Sequence, residues 1–127
     1  MKVIVAGSRG ITDAKLVHGI IDRSPFRITE LVSGGARGVD QMGESWAFVH
    51  NLPIKRFIPH YHVWNPKVAP LLRNVDMANY ADALIAVWKD GSNGTKHMID
   101  QMKTLNKPYY VVELGGTEIV KEWGHVE

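Results

Sequence analysis

Three short clusters of glycine with hydroxyl-bearing and cationic residues hold most of the chemistry in this sequence. They are Gly7-Ser8-Arg9-Gly10, Ser33-Gly34-Gly35-Ala36-Arg37-Gly38 and Asp90-Gly91-Ser92-Asn93-Gly94-Thr95. Glycine lets backbone N–H groups approach an anion closely, and a helix that starts at such a turn points unpaired N–H groups and a positive dipole at it. Ser8, Ser33, Ser92 and Thr95 add hydroxyl donors, and Arg9 and Arg37 add charge. Any one cluster alone is equally well read as a tight strand-to-helix turn. Three that converge on one edge of a sheet point to an anion site.

Other residues extend this set and keep two readings each. Arg73, followed by Asn74, could clamp a phosphate or carboxylate with its guanidinium fork, or be a solvated helix arginine. Asp40 could accept a ribose hydroxyl, or simply favour a helix N-terminus as a first-turn acid. His97 could serve as a general base facing the same cleft, or be an exposed first-turn histidine. Tyr61 and Trp64 could stack on a base, or pack their own loop. His60 and His62 lack a third ligand or nearby carboxylates, so no metal site is expected. The dinucleotide fingerprint G-x-G-x-x-G and the Walker pattern G-x-x-x-x-G-K-[ST] are both absent, against a conventional NAD dehydrogenase or P-loop ATPase.

The elements that must position these residues alternate. Residues 3–6 are a β-branched strand ending at Gly7. Thr12 could cap a helix bearing Leu16, Val17, Ile20 and Ile21, stopped by Ser24-Pro25. Residues 30–33 form a second strand. From Val39 a second helix carries Val39, Met42, Trp46 and Val49, ending near Asn51-Leu52-Pro53. Residues 54–58 form a third strand, and a long aromatic loop spans 60–70. A third helix covers about 71–80, and the strongest strand covers 83–88. After the third glycine turn, a fourth helix carries Met98, Ile99, Met102 and Leu105, of which Met98, Ile99 and Met102 read as core. Residues 108–114 form a fifth strand, and Gly115-Gly116 leads into a short C-terminal segment. Apolar strands alternating with amphipathic helices predict an α/β fold: a Rossmann-like three-layer α/β/α sandwich with a five-stranded parallel sheet. Its ligand site is expected beyond the carboxyl ends of the strands, where the strand order switches.

Composition sets outer bounds. The 127 residues suit one domain, 1–127, and the 45% hydrophobic and 22% charged content is that of an ordinary globular chain. No apolar run reaches the ~20 residues of a membrane span, and the apolar start is too short for a signal-peptide core. The absence of cysteine excludes disulfides, thiolate metal sites and cysteine nucleophiles. A cytoplasmic location is expected. The net charge of +2, without a basic stripe, makes nucleic acid an unexpected partner.

With Gly7-Ser8-Arg9, the 33–40 segment, Arg73-Asn74 and Ala81-Asp82-Ala83-Leu84-Ile85-Ala86 in hand, the chain resembles the SLOG superfamily. Within it, the chain looks like the small YspA-like, YpsA-related branch found in bacteria and phages, including a tryptophan, Trp64, ahead of the arginine-asparagine pair. The similarity runs from Val3 to about Met102. It implies a nucleotide-binding Rossmann-like domain for nucleotide-derived ligands such as ADP-ribose-type molecules, with no cofactor required, commonly as a homodimer or higher homo-oligomer. The host would be a bacterium, or a bacterial cytoplasm if the protein is phage-encoded. The resemblance assigns ligand contacts to the glycine clusters, Asp40, Arg73 and Asn74. It also extends to the Lonely guy phosphoribohydrolases, which cleave the base from nucleoside monophosphates; Arg73 matches their catalytic arginine. Their glutamate position is Met98, and a thioether can neither activate water nor stabilise an oxocarbenium ion. A hydrolase of this kind would have to use Arg73 with His97, Asp40 or Asp90 instead. The branch's usual Ala-Gly-Pro before Arg-Asn is Ala69-Pro70-Leu71-Leu72 here. The expected function is thus a sensor or sequestering protein for a nucleotide-type ligand. The alternatives are an N-glycosidic bond hydrolase and a nucleic-acid module like the DNA-processing DprA proteins of the same superfamily.

Overall fold

Along the central strands, alternate side chains enter two different cores. Val3, Val5, Leu31, Ile85 and Val87 join one apolar cluster, and Ile4, Val32, Leu84 and Ala86 join the other. A strand covered on both faces needs helices on both sides, and the computed structural model, which describes residues 1–89 and 91–126, shows that arrangement. The elements run β1 (Lys2–Gly7), α1 (Ala14–Arg23), β2 (Glu30–Ser33), α2 (Val39–Val49), β3 (Ile54–Arg56), α3 (Ala69–Tyr80), β4 (Ala83–Lys89), α4 (Asn93–Thr104), β5 (Tyr109–Gly115) and β6 (Glu118–His125). Helices α1 and α2 contribute Val17, Ile20, Ile21, Trp46 and Ala47 to the first core. Helices α3 and α4 contribute Met77, Ala78, Met98, Ile99 and Met102 to the second, so the methionine stripe is core as its spacing predicts.

The sheet order is β3-β2-β1-β4-β5-β6. The first five strands pair in parallel, and β6 pairs antiparallel to β5, from Tyr109 opposite His125 to Gly115 opposite Glu118. The fold is therefore a Rossmann-like α/β/α arrangement with a mostly parallel six-stranded sheet, not the five-stranded parallel sheet expected. Residues 118–125 lie at an edge and bury only Ile119 and Trp123, in part, so no apolar run announces a strand there. Gly116, at φ +66°, makes the turn between β5 and β6.

Several boundaries also differ from expectation. Asp13, not Thr12, caps α1, its carboxylate accepting the Leu16 N–H at 3.1 Å. Strand β3 stops at Arg56. Helix α3 begins at Ala69, because Pro70 falls in the first turn, where its missing N–H is not needed. Its far end is held by Lys107, whose ammonium donates to the carbonyls of Ala78, Asn79 and Ala81 at 2.7, 3.1 and 2.8 Å. Helix α4 begins at Asn93, inside the segment expected to be turn. Among the described residues no helix is long and apolar enough to cross a membrane.

Candidate functional site

Strand order reverses direction between β1 and β4, and their connections leave for opposite faces of the sheet. Beyond the carboxyl ends of these two strands lies a cleft of about 450 Å³, within the range of small-molecule sites. The end of β1 supplies Gly7, Ser8 and Arg9. The loop into α2 supplies Ala36 and Asp40, and α3 supplies Arg73 and Asn74. Lys89, Ser92, Gly94 and Thr95 form the opposite wall, and Met98 lines it from α4.

Asp40 is the most perturbed group here. It is 5% exposed, and burial pushes its carboxyl up from the ordinary 3.8 to about 6, against the opposing pull of the Ala36 N–H, Arg73 and Arg9. Its Oδ2 accepts the Ala36 N–H at 3.1 Å. Arg73 approaches from α3, its Nη1 donating to the Gly34 carbonyl at 2.6 Å and its Nε to Asn74 Oδ1 at 3.2 Å. Burial lowers the Arg73 pKa, and Asp40 opposes that shift. A Cβ on Gly34 would sit 2.9 Å from both the Arg73 guanidinium carbon and Asp40 Oδ2, so only glycine lets these two groups flank the backbone here. Gly38, at φ +77°, precedes α2, and a Cβ there would stand 2.7 Å from the carbonyl oxygens of Ser8 and Arg9.

Other candidate residues are committed to the scaffold. The Ser8 hydroxyl donates to the Lys89 carbonyl at 3.0 Å and accepts the Lys89 N–H at 2.9 Å, tying the ends of β1 and β4 together. Ser33 is fully buried; it donates to Glu44 Oε2 at 2.7 Å and accepts the Gly35 N–H at 3.1 Å. Asn74 Nδ2 donates to the Gly94 carbonyl at 3.3 Å and to His97 Nδ1 at 3.2 Å, linking α3 to the first turn of α4. His97 thus turns to Asn74 instead of lining the cleft, and burial lowers its pKa, which suits a neutral ring accepting at Nδ1.

At the start of α4, Thr95 Oγ1 donates to Ser92 Oγ at 3.3 Å, and the Ser92 side chain makes no capping bond to the helix. Among the described residues the Ser92 proton has no acceptor. An α-helix leaves its first N–H groups without intrahelical partners, so the amides of Asn93, Gly94 and Thr95 add an anion-compatible surface.

The structure thus brings Gly7, Ser8, Arg9, Asp40, Arg73, Asn74, Ser92, Gly94 and Thr95 to one cleft. Ser33, Gly34, Gly35 and Gly38 support it from behind, Asn93 is exposed on the first turn of α4, and Arg37 lines a separate shallow depression with Arg9 and Gln41. Asp90 lies outside the described residues. Met98, where the resembling hydrolases place a glutamate, is 1% exposed. Two site residues escape sequence reasoning. Lys89 ends a strand and reads as a boundary. Glu44, one helical turn after Asp40, holds Ser33 and forms an ion pair with Arg56 at 2.7 Å; its i,i+4 spacing from Asp40 was the available signal.

The fold and cleft define a Rossmann-like domain with an anion-compatible pocket at its strand-order switch. The family model described as YspA, cpYpsA-related SLOG family matches residues 1–62. The Gene 61 protein of Mycobacterium phage D29 is 30% identical over 116 residues, covering 84% of this chain and 92% of that protein. The chain belongs to the YspA, cpYpsA-related SLOG family. In fold it is similar to the X-ray structure of DNA processing protein A (DprA) from Streptococcus pneumoniae, with a TM-score of 0.72 at 19% identity. That match covers 91% of this chain and 51% of DprA, so the chain spans about half the length of that protein. This likeness overturns the expectation that nucleic acid is an unlikely partner. That expectation rested on a net charge of +2, which says nothing of how the charge is distributed. Family membership is consistent with interaction with a nucleotide or nucleic acid.

Proposed function

We propose that the cleft binds a phosphate-bearing nucleotide unit and holds it without cleaving it. The observation that carries this reading is the juxtaposition, in one cleft, of the α4 N-terminus, the buried Asp40 and the half-buried Arg73 whose charge acts on it. A phosphate fits against Ser92, Gly94 and Thr95, with Arg9 and Lys89 supplying charge. The Asp40 carboxylate would repel a phosphate at the α2 N-terminus, so Asp40 instead accepts a ribose or deoxyribose hydroxyl, oriented by Arg73. Met98 in place of an acid supports binding over glycosidic hydrolysis.

The unit has two sources, a free ADP-ribose-type or nucleoside-phosphate ligand and a single strand of nucleic acid. The likeness in fold to a DNA processing protein favours the strand. The test is thermal stabilisation by AMP, ADP-ribose and a single-stranded oligonucleotide, followed by chromatography of the recovered ligand. At a ligand concentration of ~100 Kd the stabilisation is about 2.7 kcal/mol. Intact ligand with a shift that Arg73→Ala abolishes is the expected result. Release of free base contradicts a binding-only role, and no shift with any ligand contradicts the site itself.

A further inference from the structure

Arg73 lines a second groove as well as the cleft. This neighbour, about 330 Å³, runs along the end of β3 and the aromatic loop and is lined by Lys55, Arg56, Ile58, His60 and Trp64 together with Arg73. Two features set it apart from an ordinary surface hollow. Trp64 is 50% exposed and Ile58 55% exposed, so large apolar side chains stand in water beside it, joined by Tyr61 at 49%. Lys55, Arg56 and Arg73 line the groove with one carboxylate, Asp76, while the Asp40 carboxylate acts on Arg73 from the side of the cleft. Arg56 is paired with Glu44 yet keeps 56% of its side chain exposed.

An apolar protein partner would have to desolvate these cations, at a cost its own apolar atoms could not offset. Aromatic faces interleaved with cations instead suit an unpaired nucleobase on a phosphate backbone. The ring stacks, and the cations track the phosphates.

We propose that this groove is a second nucleotide subsite. A base stacks on Trp64, and the phosphate joining it to the unit in the cleft lies at Arg73, between the two. The natural ligand would then contain at least two linked nucleotide units. The proposal rests on the reading of the cleft given above, and it names the substrate class for that site.

Calorimetric titration of the full chain with three probes tests it: deoxyadenosine 5′-monophosphate, its 5′-phosphorylated dinucleotide and an octamer of the same base. The dinucleotide is expected to bind about tenfold or more tightly than the mononucleotide, the gain that stacking one base produces. Trp64→Ala should remove that gain while leaving mononucleotide affinity within about twofold. Trp64 lies half exposed in a loop, so circular dichroism should show the variant folded. Lys55→Glu should reduce the gain as well, and added salt should weaken the dinucleotide more than the mononucleotide.

A further rise in affinity from dinucleotide to octamer identifies a strand as the source, and equal affinity identifies a free dinucleotide; both support the subsite. A dinucleotide no tighter than the mononucleotide overturns it, as does a Trp64→Ala variant that weakens both alike. Should the mononucleotide fail to bind, the cleft reading fails on its own. The groove then stands if Trp64→Ala weakens the octamer about tenfold, and falls if it does not or if the octamer also fails to bind.

Discussion

Replacing Asp40 by asparagine should make this protein more stable at neutral pH and a poorer binder. The carboxyl is buried, and its pKa rises from the ordinary 3.8 to about 6. At roughly 1.4 kcal/mol for each pKa unit, ionised Asp40 costs the folded state about 3 kcal/mol. The sign follows from proton binding. Between about pH 4 and pH 6 the folded protein holds this proton more tightly than the unfolded chain does, so the Asp40 contribution to stability falls as pH rises through that window. Above it, the full deficit persists. Asparagine keeps the acceptor for the Ala36 N–H and removes the charge. The difference in stability between Asp40→Asn and the wild type should therefore be near zero at pH 4, grow to about 6, and plateau near 3 kcal/mol at pH 7.5. For a chain of this size that is a rise in melting temperature of ~10 °C. Denaturant unfolding of both proteins at several pH values isolates this group and the charges coupled to it, Glu44 among them, because the distant carboxylates cancel in the difference. Nucleotide affinity should fall about fivefold to tenfold as a charge-assisted hydrogen bond becomes a neutral one. A variant less stable than the wild type at pH 7.5, or a difference that does not change with pH, refutes the assignment of a buried, strained carboxylate.

Arg73→Lys should lose tenfold or more in nucleotide affinity by calorimetry, because an ammonium cannot reproduce the fork that reaches Gly34 and Asn74 together; unchanged affinity would mean only charge matters there. Gly38→Ala should lose about 2 kcal/mol or more in denaturant unfolding, from the φ of +77° and the contact with the Ser8 and Arg9 carbonyls. Ser33→Ala strands the Gly35 N–H and one oxygen of Glu44 and should lose about 1–3 kcal/mol. Lys107→Met removes the donor to three carbonyls at the end of α3 and should lose about 2 kcal/mol with ligand affinity unchanged, which checks that stability and binding are separable in this fold.

The central strands and all four helices are legible from the amino acids because their environment is uniform. Residues 3–5, 31–32 and 83–87 are buried on both faces, so they must be apolar throughout. The helical stripes of Val17, Ile20 and Ile21, and of Met98, Ile99 and Met102, each face one core. Strand β6 is not legible for the converse reason: an edge strand with water on most of its surface can carry Lys121 and Glu122 as easily as apolar residues. The start of α3 is not legible because Pro70 reads as a break, whereas in a first helical turn it is harmless. At the site, the convergence of the first and third glycine clusters with Arg73 could be read from chain order and the switch-point rule. The departure of Arg37 into its own depression could not, since neighbours in sequence leave a loop in different directions.

What no sequence pattern reveals is which polar groups the scaffold has already used. Four hydroxyls were equivalent as candidates, but Ser8 and Ser33 are bonded in place, and Thr95 donates to Ser92. Asn74 and His97 are likewise joined to each other. Among the described residues, this leaves the Ser92 proton, beside the first backbone N–H groups of α4, with spare donor capacity at that helix start. Opposite stands Asp40, whose charge the fold does not fully compensate even with Arg73 and the Ala36 N–H beside it. Ser8 and Ser33 could be exchanged for groups that satisfy the same bonds with no effect on a ligand. A buried carboxylate left about 3 kcal/mol short of compensation is different, because an amide at position 40, which keeps the acceptor for the Ala36 N–H, would give a more stable protein. On the function proposed above, a hydroxyl on a nucleotide sugar is the partner that would compensate the carboxylate.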